Sequence, residues 1–90
     1  MLTQTQQHTG DAVVIADRNA HVRETLRRVL VQAGHDHRVY EAANFLDALR
    51  SVRATGARLV LLDVELVMNP PAARLRRIVE WFHGLRVIVL

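Results

Sequence analysis

Two aspartates carry the most chemical promise in this 90-residue chain. Asp17 closes the short β-branched run Ala12-Val13-Val14-Ile15-Ala16, and Asp63 closes the run Leu59-Val60-Leu61-Leu62. A carboxylate at the carboxyl end of a buried strand lies where open parallel sheets bind their ligands. Two such carboxylates on one rim would hold a hard divalent cation such as Mg²⁺ through oxygen. One of them could also attack a phosphoryl group while the cation neutralises the phosphoryl oxygens. The competing reading is that each aspartate merely ends its strand and caps the turn that follows. Their placement as a pair on one rim favours the chemical reading.

Other chemistries are scarce. All 12 basic residues are arginine, so no ammonium group can serve as a phosphate-binding or Schiff-base lysine. The absence of cysteine excludes disulfides, thiol catalysis and cysteine-based zinc sites. His35 and His37 could ligate a metal, but two imidazoles on a turn read better as solvated side chains. His8 falls in the leading segment, and His21 and His83 fall at helix ends. No GxGxxG, HExxH or GxSxG pattern occurs.

The two aspartates need strands and helices to bring them together, and the hydrophobic pattern supplies these. After the first run, Asn19 can cap a helix over 20–33. Its apolar positions Val22, Leu26, Val29, Leu30 and Ala33 share one stripe, and Gly34 supplies the stop. A second strand is expected around 38–41. Asn44 then caps a helix with Phe45, Ala48, Leu49 and Val52 on one face, ending before Gly56. After Asp63 comes a loop with Pro70 and Pro71. A third stripe follows, Leu75, Ile78, Val79 and Phe82, with Gly84 ending it and a last strand in 85–90. Strands alternating with helices in this way imply a parallel sheet with helices on both faces and right-handed crossovers. The expected fold is α/β: a flavodoxin-like three-layer sandwich with a parallel sheet of about four strands in the order 2-1-3-4.

Composition agrees with one such domain. Half of the residues are hydrophobic, only 4% are aromatic, and 23% are charged, which describes an aliphatic core. Residues 1–10 read as a flexible polar tail, and 11–90 as the folded unit. No apolar stretch approaches the roughly 20 residues of a membrane helix, and the tail lacks the features of a signal peptide. A cytoplasmic location and no membrane partner are expected. The net charge of +3 is spread among interspersed acids, so Arg27-Arg28 and Arg74-Arg76-Arg77 read as solvated helix faces. No helix-turn-helix remains once the sheet units are assigned, so direct sequence-specific DNA binding is not expected.

The ordered set of segments resembles the receiver domain of bacterial two-component response regulators. VVIADRNAHVRETLRRVLVQAGH looks like its first strand, acidic turn and first helix. YEAANFLDALRSV looks like the end of its second strand and its second helix. LVLLDV resembles the third strand with its phospho-accepting aspartate, and LRVIVL the fourth strand. The resemblance implies that Asp63 is the phospho-acceptor. It also implies that Asp17 is one of the acidic pair holding Mg²⁺, and that Glu65 offers a backbone carbonyl to the metal. Leu66 matches a position usually hydrophobic in the family.

Several departures are equally plain. The second acidic residue of the pair is Arg18, and the proline and glycine usual after the acceptor align with Val67 and Pro71. The switch hydroxyl after the fourth strand, the lysine of the fifth, and the family's last helix, strand and helix have no counterpart here. A guanidinium in place of a carboxylate changes the local charge by about two units and lowers cation affinity. Arg18 is expected instead to pair with Asp63 or Asp17 as a fixed counter-ion. The expectation is an atypical, C-terminally truncated receiver-like domain rather than an enzyme. It would act through protein contacts, with phosphotransfer to Asp63 impaired or absent and Mg²⁺ held weakly. A phospho-accepting receiver served by a histidine kinase is the alternative, and a non-functional fragment a further one. The last strand, Val87, Ile88, Val89 and Leu90, would present an apolar edge, so self-association is expected beside a kinase or downstream signalling partner.

Overall fold

The computed structural model describes residues 12–34, 38–67, 73, 76–78, 80, 82 and 84–90. Residues 1–10, His35, His37, the diproline, Leu75, Val79 and His83 lie outside them, and with them the readings made there. The described elements are β1 (Val13–Ala16), α1 (Ala20–Gln32), β2 (Val39–Ala42), α2 (Phe45–Thr55), β3 (Leu59–Leu62), a 3₁₀ turn (Val64–Val67) and β4 (Arg86–Val89). Helical backbone also occurs at residues 73, 76–78 and 80. No helix among the described residues is long and apolar enough to cross a membrane.

All strand pairs are parallel, in the order β2-β1-β3-β4. The sheet order and fold class read from the sequence are thus the observed ones. Ala16 lies level with Leu62 in the pairing of β1 with β3, so the residues that follow them, Asp17 and Asp63, emerge side by side. The backbone ladder runs on into both: Asp17 N–H donates to Ala42 O at 3.0 Å, and Asp63 N–H to Ala16 O at 2.8 Å. Neighbouring strands lie about 4.8 Å apart, which sets the spacing of the two backbones at the rim.

The main core lies on one face of the sheet. Val14, Ala16, Val60 and Leu62 pack there with Phe45, Ala48, Leu49 and Val52 of α2, together with Leu66, Val67 and Ile78. Val13 and Ile15 are buried too, but point to the opposite face, since strand side chains alternate. Both helices start as the sequence predicts. Asn19 accepts hydrogen bonds from the N–H groups of His21 and Val22, and Asn44 accepts one from Asp47 N–H at 2.8 Å. Gly56 closes α2 at φ 69°, a left-handed conformation that favours glycine.

The stripe expected to bury α1 is not buried. No residue of that helix is, and Val22 and Val29 are well exposed. The face that α1 turns inward carries Arg23 and Arg27 as well as Leu26 and Leu30, and the arginines reach polar partners on β2 instead of entering the core. The second strand also sits one residue later than expected, over Val39–Ala42.

Candidate functional site

The site is the rim where β1 and β3 end. The lone apolar runs dictate its position: each is one strand long, and each is followed at once by a carboxylate the core cannot accept. Asp17 and Asp63 are both half-buried there. Each makes the local turn that the bland reading foresees. Asp17 Oδ1 accepts from Asn19 N–H at 2.8 Å, and Asp63 Oδ1 from Glu65 N–H at 3.2 Å. Neither Oδ2 makes a hydrogen bond among the described residues. Turn capping and a chemical role are therefore compatible, because one oxygen of each carboxylate suffices for the turn.

Arg18 departs from its expected pairing. Its guanidinium pairs with the carboxylate of Glu65, and not with Asp17 or Asp63. The reason is local. Arg18 is exposed, while the 3₁₀ turn after Asp63 carries Leu66 and Val67 into the core and leaves Glu65 on the surface within its reach. The pair thus ties the turn after β1 to the turn after β3, across the mouth between the two aspartates. Both side chains are mostly exposed, so its energetic worth is small, but its charge stays at the rim. Among the described residues, no three histidine, aspartate or glutamate side chains converge to hold a metal.

A second ionic cluster reaches the rim from the side, and sequence reasoning missed it. Arg23 Nε donates to Glu41 Oε1 at 3.0 Å, and Arg27 Nε to Glu41 Oε2 at 2.8 Å. Arg27 also donates to Val39 O at 2.9 Å, and Arg23 to Asp17 O at 2.7 Å. Hydrogen bonding from Arg27 leads in holding the Glu41 carboxyl below its ordinary value, with Arg23 adding to it and desolvation opposing. The backbone of Asp17 is therefore anchored to α1 through Arg23. The available signal was two arginines four apart on a helix flanking a strand with a single carboxylate.

At the far side of the rim, Val64 N–H donates to Leu90 O at 3.0 Å, and Leu90 N–H donates to Leu62 O at 2.9 Å. β4 therefore braces the turn that carries Asp63 and Glu65. The interface residues named from sequence lie on this strand and just after it: Val87 is half-buried, and Ile88, Val89 and the following Leu90 are exposed.

No family model matches the sequence, and no curated protein matches it. Solved structures do. The backbone is similar to that of the MaeR response regulator bound to beryllium trifluoride, with a TM-score of 0.75 and 22% identity over 88% of this chain and 65% of that one. An aspartate-to-alanine mutant of the MaeR response regulator bound to sulfate gives a TM-score of 0.76 and 20% identity, over 90% of this chain and 66% of that one. This chain thus spans slightly less than two thirds of the length of those structures, and it shares their fold.

Proposed function

We propose, from a response-regulator receiver fold and the charge arrangement at its rim, that this chain is an atypical signalling domain. It works through protein contacts, and phosphotransfer to Asp63 is impaired or absent. The observation that carries this reading is the Arg18–Glu65 pair across the rim. Arg18 stands where the resemblance calls for a second carboxylate, and its guanidinium occupies the Glu65 side chain. Two carboxylates that each already give one oxygen to a turn, beside a fixed cation, are a poor donor set for Mg²⁺, which demands near-octahedral oxygen ligation. A guanidinium neutralises charge but cannot bridge phosphoryl oxygens as a metal does.

The test is intact mass after incubation with acetyl phosphate and Mg²⁺, beside Asp63→Asn. The expected result is no mass gain by either folded protein. Gain of one phosphoryl group by the wild type alone would establish the phospho-accepting reading instead. Arg18→Asp probes the cause. It should strengthen terbium binding, read by luminescence titration, at least tenfold over the wild type, because it exchanges a like charge for a ligand. Equal affinities would remove Arg18 from the explanation.

Protein contact includes self-association in this reading. β4 is an edge strand in which Ile88 and Val89 are exposed, as is Leu90 after it, and its outward backbone groups meet no strand among the described residues. Two copies can pair such edges antiparallel about a two-fold axis. Light scattering should show a dimer that Ile88→Lys weakens, and a monomer at every concentration would exclude it.

A further inference from the structure

Along the outer flank of α2 lies a trough of about 470 Å³ lined by Leu46, Leu49, Arg50, Arg53 and Phe82. It adjoins a second hollow of about 650 Å³ that shares Arg53 and Phe82 and adds Arg58. Leu46, Leu49, Arg50 and Arg53 occupy i, i+3, i+4 and i+7 of the helix, so they form one row on its flank, which shares Leu49 with the row that enters the core. Leu46 is 54% exposed and shares the lining of the hollow with Phe82.

Two arginines of this region lack an acidic partner among the described residues, whereas Arg18, Arg23, Arg27 and Arg28 each have one. Glu65, Glu41 and Glu24 are each held by arginines of this chain. In the trough, Arg50 meets Asp47 at 3.5 Å on the surface, but the side chains of Arg53 and Arg58 make no hydrogen bond or ion pair among the described residues. Two unmatched guanidinium groups flank an apolar floor. We propose that this trough docks an acidic amphipathic segment of another protein. Apolar side chains of that segment would enter between Leu46 and Phe82, and its carboxylates would face Arg53 and Arg58.

The first ten residues contain no aspartate or glutamate. In a second copy Glu24, Glu41 and Glu65 are already paired to its own arginines, which leaves Glu80 as its one exposed glutamate without an ion pair among the described residues. A segment of another protein, with several free carboxylates, fits the two arginines better. The proposal gives the protein-contact reading a surface, yet it stands whether or not Asp63 accepts phosphate. The mass experiment decides phosphotransfer alone, and the binding experiment decides this surface alone.

The probe is a fluorescein-labelled synthetic helix with leucines and a phenylalanine on one face and glutamates on its flanks, titrated with the full chain and followed by anisotropy. Saturable binding that weakens at least tenfold in the double variant Arg53→Glu/Arg58→Glu, and that weakens with added salt, is expected. Arg28→Glu reverses a charge on the other helix and should leave the affinity unchanged. Arg53→Gln/Arg58→Gln repeats the test without charge reversal, and circular dichroism verifies the fold of each variant. No binding by the wild type, or binding by both double variants as tight as the wild type's, would overturn the proposal. So would arginine-dependent binding to phosphatidylglycerol vesicles without binding to the peptide, which would make the surface a membrane contact.

Discussion

Helices α1 and α2 cover opposite faces of one sheet and are attached by opposite means. α2 buries Phe45, Ala48, Leu49 and Val52 against the strands, and it is capped at both ends by an asparagine and a left-handed glycine. α1 is two residues longer and buries none of its side chains. Its hold on the sheet is a clasp in which Arg23 and Arg27 close on Glu41 and on the carbonyls of Asp17 and Val39. An apolar stripe therefore tells which side of a helix is greasy, not how much covers it. The consequence for function is direct, because the buried β1 ladder places Asp17 at the rim and the clasp ties its turn to α1.

The largest effects expected are those that remove apolar volume from α2. Leu49→Ala, at a residue 7% exposed within the main core, should cost about 3 kcal/mol and lower the urea midpoint accordingly. Leu26→Ala, at a half-buried position of α1, should cost about 1 kcal/mol because much of that side chain already meets water. Equal losses would break the comparison, since α1 would then be attached by packing after all.

Next in size is Glu41→Gln, which leaves two arginines facing a neutral amide. The Glu41 side chain is 31% exposed and water screens the pairs, so about 1 kcal/mol is expected. The pH dependence has a definite sign. The arginines depress the Glu41 carboxyl in the folded state below its ordinary value of 4.5, so the folded protein holds the ionised form more strongly than the unfolded chain does. That stabilisation is complete above the unfolded value and is lost as pH falls through the depressed folded one. Urea midpoints of wild type and Glu41→Gln should differ at neutral pH and converge in acid. A gap that stays constant with pH would mean that the clasp acts by shape and not by charge.

The parts that were legible in the sequence share a physical basis. Val13–Ala16 and Leu59–Leu62 are runs that only a doubly covered strand accommodates, and the four-residue rows of α2 have one possible inward face. Once the strand order follows, the topology places Asp17 and Asp63 together without further information. The readings that failed concern long-range polar pairing. Arg18 and Glu65 are separated by 47 residues, and nothing in either neighbourhood distinguishes Glu65 from Asp63 as the partner. Glu41 was read as one residue of a strand, although its carboxylate is the one that Arg23 and Arg27 of the neighbouring helix both pair with. Charge pairing depends on where side-chain tips arrive, and periodicity specifies only where their stems begin.

The smallest predicted effect separates the clasp from mere arginine content. Arg28 lies on the same helix as Arg23 and Arg27, one residue beyond the latter, and it too is ion-paired, at 2.9 Å to Glu24. That pair joins two residues of one helix, and the side chains are 73% and 55% exposed. An i,i+4 contact of this kind stabilises the helix by about 0.3 kcal/mol and attaches it to nothing. Arg28→Ala should therefore shift the urea midpoint barely beyond error and leave the amide exchange of the Asp17 turn unchanged. Arg23→Ala, which releases both Glu41 and the Asp17 carbonyl, should speed that exchange. If the two variants behaved alike, the link between α1 and the rim would be a general effect of helix charge, and the specific path through Arg23 would fall.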